Sequence, residues 1–411
     1  MTKPPRGSEN IPEALIVAPE APYPAVGGGA LRTASLVEYF GRRYRLDCLL
    51  FREPGAPDPR GAIPAGLVRR ADVIELPPHS RSRLARLARN ARRAIRKAPP
   101  LNDRFGGFER ELERLLGGRR YDLALIEHFW CAPYFEQVAA VSRRVALDLH
   151  NIESEFYRTA LEASPAPARA LFRRFYLGCL ALERRWLPRF PLVLTASPDD
   201  AARLAAFLPG EAVKVVPNTI PRTALPAAPA GNSIVFSGNL EYYPNLTAIR
   251  YFRDRVWPLV KSRAPGVVWR IVGRNAAAAE REIGRGDRIE LVGAVPDAVA
   301  EVARSRVAVV PVLSGSGTRV KILEAWAAGV AVVSTPKGAE GLPARHGEDL
   351  LLASSPEDFA ESVLAMLGSD QERRRVGAAG RGLYEREFTW DSAWRTLDEL
   401  GFGPGSGVEH K

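Results

Sequence analysis

Residues 314–329 read SGSGTRVKILEAWAAG. Two glycines, Gly315 and Gly317, loosen the chain around Ser316 and Thr318. Two cations, Arg319 and Lys321, follow, and Glu324 stands in an otherwise apolar helical run. Cations are mildly unfavourable at the amino end of a helix, where unpaired N–H groups and aligned peptide dipoles favour anions. An anion seated among them resolves the conflict. Glycine N–H groups, the helix start and two charge-assisted donors together make a cradle for a diphosphate. Glu324, one turn on, accepts two hydrogen bonds, and the cis-diol of a ribose offers two donors. A surface pair between Lys321 and Glu324 would contribute only about 0.2–0.5 kcal/mol and would leave the glycines unexplained.

Other chemistry-bearing residues fall at the ends of apolar runs. Gly27, Gly28 and Gly29, in PYPAVGGGALRTASL, allow a backbone to approach a phosphate or sugar closely. They are not a dinucleotide fingerprint, because Arg32 occupies the third glycine position of G-x-G-x-x-G. His128 in LIEHFW and His150 in ALDLHNIESEF are two of only five histidines, which makes their parallel placement worth weighing. Asp148, Asn151 and Glu153 are positioned to orient an imidazole or bind hydroxyls, and His128, Asn151 and Glu153 form a candidate acceptor side. The spacing fits no standard metal-ligand set, and no D-x-D occurs, so no metal cofactor is expected. Further on, VFSGN ends in Gly238 and Asn239, and RIVGRN contains Gly273 and Arg274; both can meet a ligand backbone-first.

The elements that must carry these residues alternate. EALIVAPE, YRLDCLLF, ADVIELP, YDLALIE, RVALDL and PLVLTAS read as buried strands separated by helical segments, and so do NSIVFSGN, GVVWRIVGR, RIELVGAV, VAVVPVL, VAVVSTP and DLLLAS. Helices are expected near 245–263, 275–286, 297–305, 317–328 and 356–367, with LYEREFTWDSAWRTLDEL as a last helix anchored by Trp390 and Trp394. PRTALPAAPAGN reads as a linker. The expectation is two doubly wound α/β domains, 1–220 and 233–385, joined by 221–232, with 386–411 as last helix and tail. Ligands of such sheets bind at the carboxyl ends of the strands, so two of them facing each other form a cleft.

A chain of 411 residues is too long for one ordinary core, which agrees with two domains. No apolar run reaches the roughly 18–20 residues that span a bilayer. The N-terminus shows no apolar stretch of signal-peptide kind. Three widely spaced cysteines suggest neither a disulfide framework nor a metal site, which makes a reducing cytoplasm the default. The net charge of +11 is mostly local. Residues 81–97, RSRLARLARNARRAIRK, hold eight cations and no acid, and without them +3 remains. Leu84, Leu87, Ala88, Ala91 and Ile95 recur at helical spacing there. Such a basic amphipathic helix either packs on its Leu/Ala stripe or contacts anionic lipid head groups. No nucleic-acid motif accompanies it.

The stretch GSGTRVKILEAWAAGVAVVSTPKGAEGL resembles the signature of the family 4 (group 1) glycosyltransferases, which have the GT-B fold. SGNLEYYPN, RIVGR, LVGAVPD (with Val295) and VAVVPVL each fall where that family has a comparable segment, as do TASPDDAARL and VVPNTI; in the first half only the glycine loop and DLHN match. The resemblance implies two Rossmann-like domains and metal-independent, usually retaining, transfer of a sugar from a nucleotide diphosphate sugar. It implies a donor site in the second domain, with Glu324 on the ribose, Arg319 and Lys321 in the phosphate region, and His150 near the transferred sugar. A last helix would cross back to the first domain. Two positions depart from the family: its first glutamate is Ser316 here, and NLEYYPN after Gly238 lacks the usual basic pair. The expectation is a cytoplasmic enzyme, peripheral on the inner membrane face, acting on a glycan or lipid-linked acceptor with an anionic membrane surface as partner through 81–97. A sugar-nucleotide epimerase of the same architecture and a catalytically silent sugar-nucleotide-binding scaffold stay open as alternatives.

Overall fold

The computed structural model describes residues 11–80, 82–163, 166–226, 231–283, 288–315 and 320–403. The first sheet has seven strands: Glu13–Ala18 (β1), Arg45–Arg52 (β2), Arg70–Glu75 (β3), Tyr121–Glu127 (β4), Ser142–Leu149 (β5), Leu192–Thr195 (β6) and Val213–Val215 (β7). Their order is β3-β2-β1-β4-β5-β6-β7, and every pairing is parallel. Side chains alternate between two buried faces. Leu15, Val17, Ile126 and Leu147 pack into one core, and Ile16, Leu50, Leu125 and Ala146 into the other. A strand covered on both faces needs apolar residues at successive positions, which is why these segments read as continuous runs.

The second sheet has Ser233–Ser237 (β8), Val268–Val272 (β9), Ile289–Gly293 (β10), Val307–Val310 (β11), Ala331–Ser334 (β12) and Leu351–Leu352 (β13), in the order β10-β9-β8-β11-β12-β13 and again parallel. In both sheets the order reverses beside the first strand, between β1 and β4 and between β8 and β11. Loops there diverge and leave a crevice.

The helices that matter for the site are Gly28–Gly41 (α1), Arg83–Arg96 (α2), Glu153–Ala163 (α3), Ala166–Trp186 (α4), Tyr243–Tyr251 (α5), Val320–Ala327 (α6), Asp370–Glu387 (α7) and Trp390–Leu397 (α8). α8 packs on the first sheet's core through Ala393 and Leu397. The Trp394 indole N–H donates to the carbonyl and hydroxyl of Ser35, both at 3.1 Å, and Tyr39 donates to Asp398 at 2.7 Å.

Three expectations change. The segment 383–400 is not one helix: the chain breaks between α7 and α8, where Ile220 donates to the Phe388 carbonyl (3.0 Å) and Trp390 donates back to Ile220 (3.2 Å). The two crossings between domains thus pair with each other, and that pairing needs extended backbone at Thr389. The short strand β7 and the long helix α7 were not expected. Finally, α2 does not pack on its Leu/Ala stripe. Leu84, Leu87 and Ile95 are 80%, 64% and 76% exposed, while Arg93 is buried and donates to Asp103 at 2.7 Å. The helix turns its apolar side outward.

Candidate active site between the two sheets

The glycine loop follows β1, and His128 and His150 follow β4 and β5, so all three meet at the crevice of the first sheet. Gly27, at φ 90°, begins α1 in a conformation that suits glycine. A side chain begun at Gly29 would lie 3.9 Å from His150 Nδ1, 4.0 Å from His128 Nε2 and 3.5 Å from Glu20. The two imidazoles stack with ring centres 3.5 Å apart, and Trp130 stacks on His128 at 4.3 Å.

Beneath them lies a buried ionic network. Arg32, from the first turns of α1, donates to both oxygens of Asp148 at 2.7 and 2.5 Å, and to Val216 O and Asn218 Oδ1 at 2.8 and 3.1 Å. His150 Nε2 lies 3.3 Å from Asp148 and 3.6 Å from Glu127, whose carboxylate also accepts from Thr33. Burial would raise the Asp148 pKa, but the Arg32 guanidinium wins and holds it well below the usual carboxylate range. Burial and the Asp148 charge push Glu127 up, against its bonds to His150 and Thr33. Burial disfavours a charged His150, yet its two carboxylate partners raise it above the ordinary imidazole value. His128 is held neutral, far below that value, by burial and by the adjacent His150. Burial also lifts Glu153, at the start of α3, to about 8, with Glu183 adding to the rise and the Trp130 indole opposing it.

Side-chain atoms of Glu127, Asp148 and His150 lie within 4.8 Å of one another, close enough to suggest a metal ion. The guanidinium already bound to both oxygens of Asp148 argues otherwise, since an added cation would face it across the carboxylate.

The second sheet presents its own strand ends. Ser237 closes β8 and donates to Glu324 on α6 at 3.2 Å. Burial lifts the Glu324 carboxyl to about 7, while Ser237 and Lys321 hold it down. Lys321 donates to Asn245 of α5 at 2.7 Å and lies over the Phe236 ring at 4.0 Å. Its Nζ is 3.1 Å from where a side chain on Gly238 would begin, so the cation sits beneath the loop after β8. Asn239 accepts from Asn245 and Asn275 in the same loop. Gly273 is required sterically, because a Cβ there would fall 1.7 Å from the Gly238 carbonyl oxygen.

Both halves meet across the cleft. Arg274 comes within 3.1 Å of the side-chain position of Gly27, and Val320 within 3.2 Å of that of Gly28. Thr159, on α3, accepts from the Gly315 N–H at 3.0 Å. Phe156 stacks on Tyr242 with centres 6.0 Å apart, and Glu340 pairs with Arg203 at 2.6 Å. The structure therefore brings together the glycine loop, His128, His150, Arg274, Gly315 and the start of α6. Val295, just past the end of β10, packs half-buried on the second core, and Asn151 lies half-buried in the turn before α3. Ser316, Gly317, Thr318 and Arg319 lie outside the described residues. Sequence reasoning missed Arg32, Thr33, Glu127 and Thr159; an acid closing an apolar strand, as Glu127 does in YDLALIE, was the available signal.

Residues 231–369 match the family model described as glycosyl transferases group 1. An uncharacterised 44.6 kDa protein in the cps region of Klebsiella pneumoniae is 23% identical over 60% of this chain, and the match spans 65% of that relative's length. Sucrose-phosphate synthase from Thermosynechococcus elongatus superposes with a TM-score of 0.70 at 17% identity, over 94% of this chain and 98% of that one. HepE from Anabaena, solved with UDP and glucose, gives 0.62 at 15% identity, over 95% and 99%. The chain therefore has the GT-B fold over nearly its whole length, and residues 231–369 within it match the group 1 glycosyltransferase model.

Proposed function

We propose that the protein transfers a sugar from a nucleotide diphosphate sugar to a glycan or lipid-linked acceptor, without a metal and with retention of the anomeric configuration. The observation that carries this reading is the approach of Arg274 and of Val320, the first residue of the helix that carries Lys321 and Glu324, to Gly27 and Gly28 in the loop beside the two histidines. Glu324 would accept from the ribose diol. Lys321, Arg319 and the N–H groups around Gly315 would bind the diphosphate, and the departing negative charge would meet donors already in place. On one face of the sugar, the bond from C1 to the phosphate oxygen breaks and the bond to the acceptor oxygen forms. The acceptor proton passes to the departing phosphate. His150 would hold the sugar, and contact between the two sheets would limit water.

The membrane belongs to the same proposal. No helix among the described residues is long and apolar enough to cross a bilayer. α2 instead turns Leu84, Leu87 and Ile95 outward among its arginines, which suits binding in the plane of an anionic surface at the inner membrane face. It follows β3 on the carboxyl side of the first sheet and packs on α4, so it would bring the acceptor half of the cleft to the lipid.

HepE holds UDP, so UDP-sugars are the first donors to test. The assay follows release of nucleoside diphosphate, with and without lipid extracts, and the anomeric configuration of the product by NMR. Acceptor-dependent release that survives EDTA, with retention, is expected. Release that EDTA abolishes, or inversion, would overturn those parts of the proposal; conversion of the sugar nucleotide without acceptor would favour an epimerase.

A further inference from the structure

We infer that Glu127 is a positioning residue that keeps His150 protonated, so that Nδ1 of that imidazole presents a hydrogen-bond donor to the cleft beneath Gly29. The inference rests on the proposed placement of the sugar over His150.

The charges around the imidazole lead to this. Arg32, from α1, is spent on Asp148: its Nε and Nη2 bind the two carboxylate oxygens, and its Nη1 goes to Val216 and Asn218. The Asp148 charge is therefore already matched. Glu127, at the end of β4, is fully buried; Thr33 donates to its Oε2, while Oε1 has no hydrogen-bond partner among the described residues. An uncompensated buried carboxylate is costly, and the nearest group able to supply a positive charge is the imidazole whose Nε2 lies 3.6 Å from Oε2. His128, also from β4, cannot share the role, since two cations would then stack 3.5 Å apart. Of the other charged or titratable groups facing the site, Glu20 in the loop after β1 favours a cation there, Glu153 of α3, lifted to about 8, adds little charge near neutral pH, and Arg274 across the cleft opposes one from beyond the glycine loop. One proton thus belongs jointly to Glu127 and His150.

Where that proton sits decides what the cleft offers. A neutral His150 that points Nε2–H at the carboxylates presents Nδ1 as an acceptor. The imidazolium presents Nδ1–H as a donor, and Nδ1 is the atom 3.9 Å from the side-chain position of Gly29. A donor suits a sugar oxygen, or any oxygen that gains negative charge during transfer.

The test is an NMR titration of the histidine side chains in the full chain, 15N-labelled, with the His150 signals assigned by His150→Gln. Wild type, Glu127→Gln and Glu127→Asp are compared, with thermal melts and UDP binding as controls for folding. The wild-type His150 is expected to titrate above the ordinary imidazole value of about 6.5. In Glu127→Gln its midpoint should fall by about one pH unit or more, and Glu127→Asp should retain part of the elevation. With a competent donor, the kcat–pH profile of Glu127→Gln should lose its plateau at correspondingly lower pH, with donor KM changed less than kcat. An unchanged His150 midpoint in folded Glu127→Gln overturns the inference. If that variant does not fold, a wild-type midpoint below about 6.5 overturns it alone. The titration needs no nucleotide, so a failure to bind any nucleoside diphosphate would sink the transferase reading while leaving the role of Glu127 to be decided separately.

Discussion

Arg32 holds Asp148 by two parallel hydrogen bonds, with the guanidinium 4% exposed and the carboxylate fully buried. Removing one partner strands the other, which costs about 3–5 kcal/mol, whereas removing both costs far less. Arg32→Met and Asp148→Leu should each lower stability by about that amount, and the double variant should recover a large part of it. Urea unfolding measures this; singles within about 1 kcal/mol of wild type would show that the pair is not a structural element. The sign with pH is fixed by the depressed Asp148 pKa. Its contribution is fully present above the ordinary carboxylate value and is lost only as pH falls well below that range.

Glu324 behaves in the opposite sense. Burial holds its folded pKa near 7, so between the unfolded value of about 4.3 and 7 the folded state keeps a proton that the unfolded state has lost. Its contribution to stability therefore falls as pH rises through that window, and Glu324→Gln should flatten this part of the stability profile. A ribose diol prefers the carboxylate, so nucleotide affinity should rise as pH rises through about 7. Glu324→Gln should remove that dependence and weaken binding roughly 10- to 100-fold. Calorimetry at pH 6 and pH 8 reads the difference; equal pH dependence in variant and wild type would separate Glu324 from the diol.

Lys321 should matter to phosphate and not to the nucleoside. Its Nζ lies beneath Gly238, in the loop after β8. Lys321→Met is expected to weaken a nucleoside diphosphate by about 1.5–3 kcal/mol, reduce the salt dependence of its binding, and leave the free nucleoside unaffected. Parallel loss for both ligands would place Lys321 in the packing of the Phe236–Asn245 loop instead.

The outward face of α2 should partition to lipid by two mechanisms at once. Sedimentation with vesicles containing anionic lipid should decline at high salt. Changing Leu84 and Leu87 together to Gln should weaken it further at either salt concentration, each buried leucine contributing about 1.5–3 kcal/mol at most. Equal partitioning into neutral and anionic vesicles would remove the electrostatic part. No partitioning at all would leave that face for a protein partner.

Much of the fold was legible because a parallel sheet covered on both sides writes each strand as an apolar run. β7 escaped because its three residues, VKV, carry a charge and no period. α7 escaped because DQERRRVGAAGRGL is rich in charge and glycine, both read as loop. The structure gives the reason for two of those glycines: a Cβ on Gly377 would strike the Gly329 carbonyl at 2.2 Å, and one on Gly380 the Trp326 ring at 2.3 Å. The site was legible where chemistry sits at a strand end, as with Gly27–Gly29, His128 and His150. Arg32, Thr33 and Glu127 were not, because their partnership depends on β4 lying between β1 and β5, about a hundred residues of chain away from α1. Strand order is long-range information that local spacing does not contain.

Calorimetric titration of the wild-type protein with UDP, GDP, ADP and CDP, repeated on Glu324→Ala, is the direct test of a donor site on the second sheet. Micromolar binding of one diphosphate in preference to the others is expected, weakened at least tenfold, about 1.4 kcal/mol or more, by loss of Glu324. No binding of any diphosphate by the folded protein, or binding indifferent to Glu324, would contradict a donor site at the carboxyl ends of β8 and β11.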